Sequence, residues 1–130
     1  MTRKILAVDD TRNVQLMLQE YLQNQNFSVT LAYDGREALE MTRAERPDLI
    51  LLDVMMPNMD GFQFLSRLRA DSEVPVIMIA ARQQEADVIR GFELGADDYI
   101  TKPFKLRELL MRILAVMRRA AAAENGNPLL

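Results

Sequence analysis

Leu49-Ile50-Leu51-Leu52-Asp53 decides the fold. Four consecutive apolar residues leave no polar face, and the run is too short for an ordinary helix. A strand buried on both sides belongs in the centre of a sheet. The run halts on a carboxylate. Three other apolar runs also halt on polar groups or at a chain turn. Ile5-Leu6-Ala7-Val8 ends at Asp9-Asp10, and Val76-Ile77-Met78-Ile79 ends at Ala80-Ala81-Arg82. Asp98-Tyr99-Ile100-Thr101 ends at Lys102-Pro103. As parallel strands of one sheet, these runs bring three carboxylates and one ammonium to a shared edge. Such a cluster is costly unless a metal and an anion complete it.

Helical patterns fill the intervals. Val14, Met17, Leu18, Tyr21 and Leu22 recur at helical spacing after the first run. Phe27-Ser28-Val29-Thr30-Leu31 alternates as a half-buried strand does. Asp34-Gly35 marks a turn, and the segment 36–43 reads as a helix that stops before Pro47. Asp60-Gly61 opens a helix with Phe62, Leu65 and Leu68 inward. The segment 84–94 reads as a helix with a thin apolar face, terminated by Gly95. Leu106, Leu109, Leu110, Ile113, Leu114 and Met117 form a final helical stripe. Strands alternating with helices through short loops imply an α/β fold, a parallel sheet covered on both faces. Five such units suit a doubly wound sheet, whose ligand sits at the strand carboxyl ends between the first and third strands. Those strands carry Asp9-Asp10 and Asp53.

Composition bounds the rest. At 130 residues and 49% apolar, the chain can bury the core of one domain. A net charge of -3 lacks the basic stripe of a general nucleic-acid binder. The absence of cysteine and histidine removes disulfides, thiolate chemistry and imidazole catalysis. Met1-Thr2-Arg3-Lys4 leads directly into a strand, so no signal peptide is read. No apolar run approaches the ~18 residues of a membrane span. A cytoplasmic location, away from membranes, is expected.

The edge cluster has definite chemistry. Asp9, Asp10 and Asp53 offer oxygen ligands suited to Mg2+, which takes one or two carboxylates and keeps several waters. Lys102 can reach the same anion as a point charge. Carboxylate, magnesium and ammonium together point to phosphoryl transfer onto a carboxylate. Asp53 stands alone at the end of the central strand and is the best nucleophile. Any one of these aspartates is an ordinary cap or turn former, and Asp10 suits the N-cap of the first helix. Their joint placement at one edge is harder to explain in that way.

The motifs match a family. Val8-Asp9-Asp10, Leu51-Leu52-Asp53-Val54-Met55-Met56-Pro57, Asp60-Gly61, Gly95-Ala96-Asp97-Asp98-Tyr99 and Lys102-Pro103-Phe104 resemble the receiver domain of bacterial two-component response regulators. The resemblance implies a flavodoxin-like strand order 2-1-3-4-5 over residues 1–119. It implies that Asp53 accepts a phosphoryl group from a sensor histidine kinase. Asp10, Asp53 and the Met55 backbone carbonyl would ligate Mg2+, with Asp9 acting mainly through water. Lys102 would bind the phosphoryl group, and the Lys102-Pro103 bond would be cis. Such a domain is not a conventional enzyme, although it assists its own phosphorylation and dephosphorylation. Tyr99 matches the family's aromatic switch position. The family's switch Ser or Thr at the end of the fourth strand is replaced by Ala80.

The last third resembles the OmpR/PhoB subfamily, whose receivers dimerise through the fourth helix, fifth strand and fifth helix. By position, Asp98 would pair with Arg112 and Asp97 with Arg119. A third family pair is missing, since Val88 stands opposite Glu108 where a basic residue is usual. Residues 120–130 resemble a helix extension and linker to a downstream DNA-binding domain, which would couple the switch to transcription. Two other readings compete. A phosphatase of the haloacid dehalogenase type needs two aspartates one residue apart, whereas Asp9 and Asp10 are adjacent. A receiver fold kept as a phosphate-insensitive interaction module is favoured by Ala80.

Overall fold

The computed structural model describes residues 2–81 and 85–124. Its elements run β1 Lys4–Val8, α1 Arg12–Asn24, β2 Ser28–Ala32, α2 Gly35–Glu45, β3 Leu49–Asp53, α3 Gly61–Leu68, β4 Val76–Ala80, α4 Glu85–Glu93, β5 Asp98–Thr101 and α5 Leu106–Glu124. All strands pair in parallel, in the order β2-β1-β3-β4-β5. The chain therefore winds outward in one direction from β1 and in the other from β3. β1 and β3 lie side by side, with Val8 opposite Leu52. The next residues beyond this pair are Asp9 and Asp53.

Alternation along each strand divides the core in two. Ile5, Ala7, Leu49, Leu51, Ile77, Ile79 and Ile100 face α1 and α5. Leu6, Val8, Ile50, Leu52, Met78, Ala80 and Tyr99 face the other layer, with Phe64, Leu65 and Leu68 of α3. Each residue of β3 is buried, as its unbroken apolar run predicts for a central strand.

Local chemistry starts and stops the helices. Asp34 caps α2 through the Glu37 N–H. Asp60 and Gln63 form a reciprocal capping box at α3, satisfying two otherwise free amides. Gly95 has φ +104°, the left-handed conformation that closes α4 at low steric cost.

Three sequence expectations need correction. The N-cap of α1 is Thr11, not Asp10; the Thr11 N–H donates instead to the Asp9 carboxylate, at 2.8 Å. The inward face of α1 includes a fully buried Gln15, while Met17 is exposed. On α5, Leu114 is exposed and Val116 takes the buried position. The alanines do extend α5, past the 119/120 boundary, to Glu124. The rest of the expected linker, residues 125–130, lies outside the described residues. Among the described residues, no helix is long and apolar enough to cross a membrane.

Gly61 sets how closely α3 approaches the end of β3. A Cβ there would stand 2.6 Å from the Asp53 carbonyl oxygen and 2.9 Å from Val54 Cα. Both contacts are with backbone, which cannot swing away. Gly61→Ala is therefore expected to destabilise the domain by about 2 kcal/mol through overpacking. Urea unfolding checks this, and an unchanged midpoint would refute the close-approach argument.

Candidate functional site

The carboxyl ends of β1, β3 and β5 place the expected groups together. Asp9 is 3% exposed and Asp53 4% exposed, while Asp10 lies open to solvent. The three aspartates offer oxygens that all lie within 4.8 Å of one another. Lys102 Nζ reaches Asp53 Oδ1 at 3.4 Å and Asp9 Oδ2 at 3.5 Å. Its backbone N–H donates to the Ala80 carbonyl at 2.7 Å, which ties the Lys102 segment to the end of β4. The Lys102-Pro103 peptide is cis, as expected.

Backbone bonds fix the two buried acids. The Asp9 N–H donates to the Ala32 carbonyl at 3.1 Å. The Val54 N–H, next to Asp53, donates to the Ile79 carbonyl at 3.0 Å. Gly61 N–H returns to the Val54 carbonyl at 2.9 Å, folding the β3–α3 loop under Asp53. The Asp53 carboxyl is pushed up to about 6, chiefly by burial and then by the Asp9 charge. Lys102 and a hydrogen bond from the Met55 N–H oppose that rise.

These residues fit a hard divalent cation. Three clustered carboxylates share one ammonium, so negative charge is left over, and Asp53 is reluctant to ionise beside Asp9. Asp10, exposed and adjacent, gives the cluster an open side. Oxygen donors with an open side suit Mg2+ or a similar ion that retains water. Met55 is 70% exposed at the rim, two residues beyond Asp53.

Ala80 and Tyr99, the positions expected to act in switching, sit behind this edge. Ala80 is buried at the end of β4, in the same cluster as Tyr99. The Tyr99 ring is 8% exposed, and its hydroxyl has no partner among the described residues. Burial, and then the Asp87 charge, raises the Tyr99 phenol above its ordinary value. Gly91 of α4 makes room for the ring: a Cβ there would lie 3.4 Å from Tyr99 Cδ2 and 3.0 Å from Met78 Sδ.

The charges expected at the dimer face also make contacts within the chain. Arg112 Nη1 lies 3.1 Å from both Asp98 carboxylate oxygens, and this bond raises the Arg112 guanidinium further above its usual range. Glu108, facing no basic residue at Val88, pairs with Arg112 along its own helix at 3.5 Å. Within the chain, Asp97 pairs with Arg69 rather than Arg119, at 3.4 Å, and accepts the Val76 N–H at 2.8 Å.

Sequence reasoning missed Arg69 and Gln15. Arg69 donates to the carbonyls of Gly95, Ser72 and Val74, clasping the loops at the opposite end of the sheet. No sequence pattern marks backbone acceptors so far along the chain. A polar residue at an inward helical position was the one available signal for Gln15.

The raised Asp53 carboxyl predicts a pH effect in metal-free buffer. The folded state holds this proton more tightly than the unfolded chain, so stability falls as pH rises from about 4 to about 6. At pH 7 the ionised, buried group costs about 2–3 kcal/mol. Asp53→Asn is expected to recover most of that cost and flatten the dependence. Thermal melts in chelator from pH 4 to 7 check this; parallel curves for the two proteins would contradict it.

Residues 5–114 match the family model described as the response regulator receiver domain. The chain is 33% identical to the receiver domain of Francisella response regulator 1452, with a TM-score of 0.87, covering 92% of this chain and 99% of that one. It is 34% identical to the Vibrio cholerae chemotaxis protein CheY4, with a TM-score of 0.85 and coverage of 89% and 99%. The BeF3-activated receiver domain of Klebsiella pneumoniae RstA is 32% identical, with a TM-score of 0.85 and the same coverage. With this match over most of its length and the acidic edge in place, the chain belongs to the receiver-domain family of two-component response regulators.

Proposed function

We propose that this domain is a phosphorylation-dependent switch whose phosphoacceptor is Asp53. The observation that carries the reading is the pair of buried carboxylates, Asp9 and Asp53, sharing Lys102 Nζ within 3.5 Å at the switch point of the sheet. A sensor histidine kinase donates the group. An Asp53 carboxylate oxygen attacks phosphorus, the P–N bond to the kinase histidine breaks, and the departing imidazole nitrogen keeps the electron pair. Lys102 holds a phosphoryl oxygen as the charge shifts. Mg2+, held by Asp10, Asp53 and the Met55 carbonyl with Asp9 behind a water, would neutralise phosphoryl charge. Hydrolysis of the acyl phosphate resets the switch.

The output surface is the α4-β5-α5 face. Ile89, Phe92, Met111 and Leu114 are exposed on α4 and α5. Asp97, Asp98, Arg112 and Arg119 supply charges beside them. Phosphorylation favours a homodimer through this face, with Asp97 of one copy meeting Arg119 of the other. Exposed ion pairs contribute little each, so the apolar residues supply most of the affinity. DNA is reached only through a domain downstream of this chain, and transcription is the resulting output.

The test is to incubate the protein with a small phosphodonor and Mg2+, then map the adduct. Labelling should vanish in Asp53→Ala and collapse in chelator; full labelling of that variant would sink the reading. Sedimentation with beryllofluoride as the phosphoryl stand-in should show a dimer weakened by Arg112→Ala. A monomer at high concentration would remove the dimer from the account.

A specific observation favours a second reading, a receiver fold acting independently of phosphate. Ala80 has no hydroxyl to bond the phosphoryl group, and Tyr99 is already buried. Hydrogen bonds to charged groups are worth roughly 1.5–3 kcal/mol. Losing one shifts a two-state ratio by about one to two decades. Ala80→Thr, phosphorylated to the same extent, is expected to dimerise more strongly than the unaltered chain. Equal dimerisation would mean that the phosphate couples to the output face without this hydroxyl.

A further inference from the structure

We propose that Gln15 is a positioning residue for the divalent-cation site, acting as a clamp behind the Asp9-Asp10 loop. The proposal rests on the reading that this acidic edge binds Mg2+.

Gln15 is 0% exposed on the inner face of α1. Burying a carboxamide is unfavourable unless its polar atoms are bonded. Nε2 donates to the Ala7 carbonyl of β1 and to the Ala32 carbonyl of β2, each at 2.8 Å. Both amide hydrogens are thus spent on the seam between two strands at their carboxyl ends. Oε1 has no donor among the described residues. An apolar residue of similar length would fill this position without leaving an acceptor orphaned, so packing alone does not account for glutamine.

The acceptors explain it. The Ala32 carbonyl also receives the Asp9 N–H, so Gln15 and Asp9 converge on one oxygen. Ala7 lies two residues before Asp9. The loop carrying Asp9 and Asp10 joins β1 to α1, and the Thr11 N–H at the start of α1 is bonded to Asp9 Oδ1. Gln15 joins the two banks of that loop from beneath. The helix cannot slide or tilt away from β1 without stretching both bonds. The loop carrying Asp9 and Asp10 is therefore held against the sheet before any cation arrives, while the pairing of β1 with β3 sets its distance from Asp53. Groups that only orient a metal's ligands can alter affinity by about tenfold or more.

The experiment measures Mg2+ binding by calorimetric titration of the unphosphorylated protein. Gln15→Met keeps the side-chain length and removes both donors. It should bind Mg2+ about tenfold more weakly. Leu18→Ala is the control, since Leu18 is buried on the same helix face without any role in the clamp. It should lower stability and leave Mg2+ affinity nearly unchanged. Wild-type affinity in Gln15→Met overturns the proposal, as does an equal loss in Leu18→Ala. If the unaltered protein binds no Mg2+, the metal reading itself fails, and the clamp with it. Should Gln15→Met not fold, NMR of the unaltered protein decides. The Gln15 side-chain amide protons should exchange far more slowly than those of exposed Gln23 and shift when Mg2+ is added. Rapid exchange, or no response to Mg2+, overturns the clamp.

Discussion

Two carboxylates buried side by side, with one ammonium between them, set the terms for the rest of the molecule. Asp9 and Asp53 come together because β1 and β3 are neighbouring parallel strands that end at the same level. Ionising both in that position is unfavourable, and the raised Asp53 carboxyl reports the cost. Each acid receives partial compensation from a backbone amide, Thr11 for Asp9 and Met55 for Asp53. Lys102 serves both. None of these supplies a second full positive charge. The fold therefore maintains an acidic edge suited to a divalent cation.

Much of this was legible along the chain because it depends on short-range patterns. β3 declares itself by being apolar on both faces, and Asp53 by interrupting it. The start of α3 at Asp60-Gly61 and the stop of α4 at Gly95 follow from local turn residues. The errors have physical causes. α1 begins one residue later than Asp10, with Thr11 at the N-cap and its N–H bonded to the Asp9 carboxylate. The inward stripe of α1 was assigned from apolar residues alone. The carbonyls of Ala7 and Ala32 instead draw Gln15 inward and leave Met17 exposed. Arg69 was invisible for the same reason. Its hydrogen-bond partners include carbonyls of residues 72, 74 and 95, which carry no side-chain signature.

Three unlike contacts help to hold α4, besides the packing of Val88 against the core. Arg90 of α4 stacks over the Phe62 ring of α3, 4.5 Å from its centroid. Gly91 admits Tyr99 and Met78 against the helix backbone. Beyond the helix end, the Gly95 carbonyl accepts two bonds from Arg69. The first two contacts involve packing over aromatic faces and tolerate small displacements. The third is a forked, directional bond to a guanidinium that also engages Asp97. The carboxyl end of α4 is consequently held in register with Asp97.

Ala80 bears on how far that edge can influence the face. Its carbonyl accepts the Lys102 amide, and its methyl lies in the cluster containing Tyr99. Apolar contact is non-directional and resists compression more strongly than separation. Were Asp53 phosphorylated, as proposed, the Ala80 methyl could transmit a push from the phosphoryl group, whereas a hydroxyl bonded to it could also transmit a pull. Directional links from the acidic edge to β4 run through backbone, from Lys102 to the Ala80 carbonyl and from Val54 to the Ile79 carbonyl. Because Lys102 bridges both buried acids and is tied to Ala80 through its backbone, a change in charge at Asp53 reaches β4 through this residue.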